Sequence, residues 1–407
     1  MKAPRVRVLQ VETTQGHAAA LHRESQFVLR YADAALDRPE LALSLTMPPR
    51  ADGYRGNVIP PVLAMNLPEG FLLDRVMARY RKVMDVNDDM NLLALTSTPA
   101  AGRVWARAPA EQAESEPAPP VALRELLGTP GTEALFDELV ERYATGSAIS
   151  GVQPKVVVEE ARKAARRKAK RAASSERSAI HAPDLIVKSA GAEYPGLAEN
   201  EFLCMSMARA AGLDVPECWL SEDRSLFVIR RFDLAEGAYL GFEDAASLTG
   251  RQPRNKYNAP YSEIARAIAD FCAPRHRPAS LERFFRQLVF CCVIRNGDAH
   301  LKNWGVLYGD PVSADDDARL SPVYDLVCTV VWIPRDTLAL GLAGTKAWPD
   351  RGRLEKFGRD HCALDNPGAI IDEIVERSLA FRPDLRTKMW KAIRAAAENA
   401  GRVLARH

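Results

Sequence analysis

Cysteine is scarce and shows no pattern. Seven are spread over 407 residues, an odd number with no CxxC spacing, which argues against a disulfide frame or a zinc site built on such pairs and leaves free thiols. Two of them, Cys291 and Cys292, sit inside "LVFCCVI", residues 288–294, where packing in a core is the expected role. Long apolar runs are missing as well: none reaches ten residues before a charge interrupts it, against the roughly 20 needed to span a bilayer. No membrane helix is expected. The opening "MKAPRVRVLQVETTQGH" has basic residues but no continuous apolar stretch of the secretory kind, so a cytoplasmic location is expected. Nor is there bulk charge of one sign, since the net charge is +2. The imbalance is local: "ARKAARRKAKR", residues 161–171, holds seven basic residues and no acid, and the remainder of the chain is acidic. No internal repeat of solenoid or propeller period is present.

What remains is an ordinary globular composition, 47% hydrophobic and 27% charged. Its length exceeds what one core holds, so two or three subdomains are expected. The segment "ARAPAEQAESEPAPP", residues 106–120, is rich in Ala, Pro and Glu without apolar periodicity and reads as a linker. Before it, "VRVLQVE" and "QFVLRYA" alternate as half-buried strands do, and "GFLLDRVMARYRKVM" repeats at helical spacing. Residues 1–110 are therefore expected to form a small α+β subdomain.

Beyond the linker, residues 121–240 run through a helical stretch (121–144), the strands of "GSAISGVQPKVVVEE" and "DLIVKSA", the helix "AENEFLCMSMARAAGL", and the strands of "CWLSEDRSLFVIRRFD". That is the element order of a kinase nucleotide-binding lobe. Residues 241–407 are expected to be helical, with apolar residues at i, i+3, i+4 and i+7 in "YSEIARAIADFC", "LERFFRQLVFCCVIRN", "AIIDEIVERSLAF" and "LRTKMWKAIRAAAENAGRVLA". "SPVYDLVC", carrying Asp325, interrupts them. The fold class that follows is α+β and bilobal, of the protein-kinase-like kind. The basic run lies in an insertion, residues 161–177, between the first two lobe strands. With no apolar face it is expected to be a solvated insertion; the other reading is a contact to nucleic acid through phosphate neutralisation.

Chemistry concentrates in "RNGDAHLKNWGVL", residues 295–307. Phosphoryl transfer needs phosphates cradled, magnesium held and an acceptor hydroxyl oriented. Asp298 and Asn303 have the five-residue spacing of the catalytic-loop Asp and metal-binding Asn of protein kinases. Asp325 follows 22 residues later, in "VYDLV", where a metal-binding aspartate is expected. In "GSAISGVQPK" the small residues and Gly151 suit a loop whose amides face phosphate oxygens. Lys188, at the end of the strand "LIVKS", suits a point charge aimed at phosphates, with Glu201 on the next helix as its partner. Each residue alone has a plainer reading. A lysine ending a strand faces solvent, Glu201 is an exposed helix acid, Asp325 caps a helix, and His300 is a structural hydrogen bonder. The ordered set of five is what points to ATP.

"SGVQPK", "LIVKS", "ENEFLCMSMARAAGL", "VIRRFD", "NGDAHLKNWGVL" and "LSPVYDLV" together resemble the HipA family, bacterial serine/threonine kinases of toxin–antitoxin modules, and "NLPEGFLLDRV", residues 66–76, resembles the small domain preceding the kinase core in full-length members. The resemblance implies ATP and Mg2+ as cofactors, Asp298 as catalytic base, Asn303 and Asp325 as metal ligands, Lys188 as the ATP lysine supported by Glu201, and Ser150, Gly151, Val152 and Gln153 as the phosphate loop. His300 and Lys302 flank the base in supporting roles. It further implies a protein substrate of the translation machinery, such as an aminoacyl-tRNA synthetase, and a HipB-like DNA-binding antitoxin, with DNA reached through that partner. Members carry a regulatory serine at the front of the phosphate loop; here Ala148 takes that place, leaving Ser150 and Ser147 nearby, and Ser150 is the expected autophosphorylation acceptor. Two other readings stand beside this one. A small-molecule phosphotransferase uses a similar loop but begins it H-G-D, where this chain has Asn296. A catalytically silent binding protein would keep the fold and act through an antitoxin or the basic insertion.

Overall fold

In Val8–Thr13 (β1) Leu9 and Val11 are completely buried and Val8 and Gln10 only in part, which is how a strand lays one face on a core, and Glu12 and Thr13 are buried as well. In this computed structural model, residues 5–69, 73, 77, 80–81, 84–95, 101–109, 120–128, 155–158, 160, 184–189, 193–235, 238–312 and 317–405 are described. The phosphate-loop residues Ser147 to Gln153, Ala148 among them, and the basic run 161–171 lie outside them. The chain divides into two units. One is Met1–Ser189 with Ser221–Glu243 and Gly309–Val312; the other is Ala190–Leu220 with Asp244–Tyr308 and Ser313–His407.

In the first unit β1 turns at Gly16, whose φ of 123° suits glycine alone, into Gly16–Arg23 (β2), placing Leu9 opposite Leu21 and Val11 opposite Ala19. Phe27–Tyr31 (β3), Tyr54–Gly56 (β4) and Val104–Arg107 (β5) complete an antiparallel sheet of order β4-β3-β2-β1-β5. Leu73, Met77, Tyr80 and Met84, three to four residues apart, pack on its core. Arg103 is 1% exposed, and its guanidinium donates to the carbonyls of Glu40 and Ala42 at 2.6 and 2.8 Å and to Gln15 Oε1 at 2.6 Å.

The same unit holds a second set of antiparallel strands, Lys155–Val158 (β6), Leu185–Ser189 (β7) and Leu226–Arg230 (β8), in which Lys155 stands opposite Lys188 and Lys188 opposite Phe227. Two buried acids link further segments of this unit. Glu243, fully buried, accepts from Ser44 Oγ at 2.6 Å and the Leu45 amide at 2.8 Å. Asp233 accepts from the Gly102 amide at 2.7 Å and from both Nε and Nη2 of buried Arg231 at 2.9 and 2.6 Å. Buried carboxylates need such donors to offset lost hydration.

The second unit is helical: Leu197–Ala210 (α1), Tyr261–Phe271 (α2), Arg277–Val293 (α3), Arg351–Cys362 (α4), Pro367–Ala380 (α5) and Lys388–Leu404 (α6). The four expected C-terminal helices and α1 are all present. The central helix, α3, touches α2, α4, α5 and α6, as its near-complete burial from Leu288 to Val293 requires. Side-chain caps start three of the helices, with Asp350 accepting from the Arg353 amide, Asn366 from Ala369 and Thr387 from Trp390. No apolar periodicity marks α4, which carries two glycines and six charges in twelve residues. It seats against α3 and α5 because Gly358 has no side chain: a Cβ there would lie 2.7 Å from Pro367 Cβ and 3.1 Å from the Phe285 ring. A short antiparallel pair, Gly305–Tyr308 (β9) and Arg319–Leu320 (β10), follows the loop that ends α3. All seven cysteines are buried free thiols, as expected. Among the described residues no helix is long and apolar enough to cross a membrane.

Candidate active site

The site is built at the end of α3. The helix closes on the Asn296 amide, which donates to the Cys291 carbonyl at 2.8 Å, and Arg295 turns left-handed with φ 55° to let the chain leave. Thr329 then holds the exit: its amide and hydroxyl donate to the Arg295 carbonyl at 3.2 and 3.0 Å, and its hydroxyl accepts the Gly297 amide at 2.9 Å. Gly297 is the only side-chain type that fits, because a Cβ would come within 2.0 Å of the Asp336 carboxylate and 2.7 Å of the Thr337 carbonyl. Buried Asn296 accepts the Asp298 amide at 3.1 Å. Tyr261 donates to the Ala299 carbonyl at 3.0 Å, Leu301 to the Lys256 carbonyl at 3.1 Å, and Tyr324 to the Lys302 carbonyl at 2.8 Å. The peptide groups of the loop are thus pinned partly from within it and partly from other segments, which is what holds a reactive side chain in one direction.

The structure brings three of the expected residues together. Asn303 Oδ1 accepts the His300 amide at 3.0 Å while its Nδ2 donates to Asp325 Oδ2 at 3.4 Å, across 22 residues of chain. Asp325 does not cap a helix. It stands at φ 54° in an irregular segment, a backbone state sparsely populated by residues with a side chain and typical of functional positions. That segment is clamped on both sides: the Val323 amide donates to the Asp214 carbonyl at 2.9 Å, and Asn200 of α1, fully buried, exchanges hydrogen bonds of 2.8 and 3.2 Å with the Cys328 backbone.

Asp298 reaches solvent, yet protein surrounds it closely enough that loss of hydration raises its carboxyl above the ordinary value of 3.8. A hydrogen bond from Tyr257 and the charge of Lys256 pull it down, while Asp325 and Asp336 push it up. His300 is 7% exposed, its ring packed edge-on to Tyr257 with centroids 5.1 Å apart, and Lys302 is buried. Glu201 is fully buried on α1 rather than an exposed helix acid. In the first unit Lys188 is 3% exposed, with Nζ 5.6 Å from the Phe227 ring centroid, so it is not a surface lysine.

Sequence reasoning missed Tyr257, Thr329, Asp336 and Asn200, and marked Asn296 only as a departure from an H-G-D loop. The tyrosine precedes its partner Asp298 by 41 residues, and none of these side chains has a characteristic spacing to mark it.

An α+β chain in which a buried helix ends in a rigid Asp-x-x-x-x-Asn loop facing a second aspartate is of the protein-kinase-like class. The chain belongs to the HipA family: residues 9–107 match the HipA N-terminal domain and residues 147–381 the HipA-like C-terminal domain. Among curated relatives it is similar to "Putative kinase Y4dM" of Sinorhizobium fredii, 36% identical over 177 residues, 40% of this chain and 41% of that protein. "Putative kinase Y4mE" of the same organism is 29% identical over 193 residues, 43% of each. The matched stretch thus spans about two fifths of those relatives. Among solved structures, the Shewanella oneidensis HipA toxin–antitoxin complex, with HipB and operator DNA, shares the fold. Its TM-score is 0.70 at 17% identity, covering 97% of this chain and 96% of that one.

Proposed function

We propose that this protein is an ATP- and Mg2+-dependent serine/threonine protein kinase acting as the toxin of a toxin–antitoxin module. The observation that carries the reading is the meeting of the Asp298–Asn303 loop with the Asp325 segment, with Asn303 and Asp325 in hydrogen-bond contact at 3.4 Å and Asp298 exposed to solvent yet near enough to feel the charge of Asp325.

The donor set fits magnesium. An amide oxygen with one lone pair taken by the His300 amide, and a carboxylate, are hard oxygen donors of the kind Mg2+ accepts while keeping waters and substrate phosphates for its remaining positions. Asn303 and Asp325 would hold the ion. Bound there, it would neutralise charge on the phosphates. Asp298 orients the acceptor hydroxyl and takes its proton, and the pinned loop keeps that carboxylate in one direction. Lys188, Glu201 and Ser150 to Gln153 take the nucleotide-binding roles that family membership implies for them. Family membership supports the remaining assignments: a HipB-like antitoxin that brings the complex to DNA, a protein substrate of the translation machinery, and self-modification at Ser150 or Ser147.

Thiophosphate labelling of a bacterial lysate, with Mg2+ present and absent, tests the reading. Labelled protein bands are expected only with wild type and Mg2+, one of them the kinase itself with its phosphate on Ser150. Label confined to small molecules would favour a small-molecule phosphotransferase. No label at all would leave the fold as a binding protein.

A further inference from the structure

Tyr257 lies in none of the motifs that define the site, yet its hydroxyl donates to Asp298 Oδ1 at 2.6 Å, the length of a charge-assisted O–H···O bond. The residue is 39% exposed, and two contacts hold its ring in place. The His300 ring packs edge-on at 5.1 Å and Lys256 Nζ lies 5.5 Å from the Tyr257 ring centroid. The backbone beneath is fixed to the catalytic loop, since the Lys256 carbonyl accepts the Leu301 amide at 3.1 Å. Meanwhile the loop's own bonds hold the Asp298 amide but not its carboxylate, whose last torsion is soft. Among the described residues, Oδ2 takes no hydrogen bond.

We propose that Tyr257 is a positioning residue for phosphoryl transfer: its phenol locks Asp298 Oδ1 and so directs Oδ2 to the acceptor hydroxyl. The inference rests on the kinase reading above. The groups facing the Asp298 carboxylate besides Tyr257 are Lys256, Asp325 and Asp336, with the phenols of Tyr194 and Tyr261 further off.

The test is Tyr257→Phe in the full chain, which keeps the ring contacts and removes one oxygen. Turnover of Mg-ATP is followed with water as acceptor and with dephosphorylated casein. A misaimed reacting group costs up to about 100-fold, so kcat is expected to fall about 10- to 100-fold with KM for ATP unchanged within twofold and Tm unchanged. The acid limb of kcat/KM is expected to move to higher pH, because the phenol's bond favours the ionised carboxylate. A merely structural tyrosine would leave that limb in place. An unchanged kcat, a raised kcat, or phosphate found on Tyr257 in the wild type would each overturn the positioning role, the last two because the hydroxyl would then occupy the acceptor seat itself. In those outcomes the wild type still turns over ATP and the kinase reading survives. A wild type with no turnover overturns both.

Discussion

Asp298→Asn is expected to lower phosphoryl transfer about 10²- to 10⁴-fold, the contribution of a positioned general base. The amide keeps an oxygen that can accept from Tyr257, so the loop geometry survives while the ability to take a proton is lost. Binding of Mg-ATP is expected to persist, because the groups assigned to the metal are Asn303 and Asp325. Tm is expected to stay at or above that of the wild type. The sign follows from the raised carboxyl: the folded chain binds this proton more tightly than the unfolded one, so ionisation of Asp298 weakens the fold as pH rises through its folded value, and an uncharged amide is spared that. The same raised value sets the activity profile of the wild type. Transfer needs the ionised form and is expected to fall with decreasing pH at a point above 3.8, the ordinary aspartate value. Kinetics on the purified variant beside a thermal melt measure both, and a variant retaining more than a tenth of wild-type turnover would remove Asp298 from the role of base.

Trp304→Ala is expected to have the largest effect on stability. The side chain is 1% exposed, with the Phe284 ring 4.9 Å away and the Tyr261 ring 6.2 Å away, both near edge-on. Removing a buried tryptophan leaves a cavity that costs about 3–5 kcal/mol. The loss falls on the residue next to Asn303, whose strand exit is fixed by the Trp304 carbonyl accepting the Ala245 amide at 2.8 Å. Denaturant unfolding should therefore show the transition of the second unit moved to lower concentration, and Mg-ATP affinity should fall with it. A midpoint within error of wild type would mean that the pocket collapses around the gap. Trp304→Phe, which fills much of the space, is expected to recover more than half of the loss.

Much of the molecule could be read before folding was considered. In Val8–Thr13 and Phe27–Tyr31 apolar residues recur at strand spacing around Gln10 and Arg30, and α3, α5 and α6 repeat at helical spacing because each buries one stripe. β2 escaped notice: "GHAAALHR" has three consecutive alanines and little strand preference, and it is a strand because β1 and β3 pair with it on both sides. α4 escaped for the opposite reason, its polar sequence becoming a packed helix only where Gly358 lets α5 and the Phe285 ring approach. The spacing of Asp298 and Asn303 was visible because both lie on one short loop.

By itself, then, the sequence determined the residue types and local spacings: a buried helix, an Asp-x-x-x-x-Asn loop after it, and an aspartate farther on. These are properties of neighbouring residues, carried by periodicity and covalent distance. Only the tertiary structure decided that Asp325 meets Asn303, that Asn200 and Thr329 hold the two segments, that Lys188 and Glu201 are buried, and that Tyr257 is bonded to the base. Contacts across 22, 41 or 128 residues depend on how helices and strands pack, and packing leaves no periodic trace at the single residue that completes a hydrogen bond.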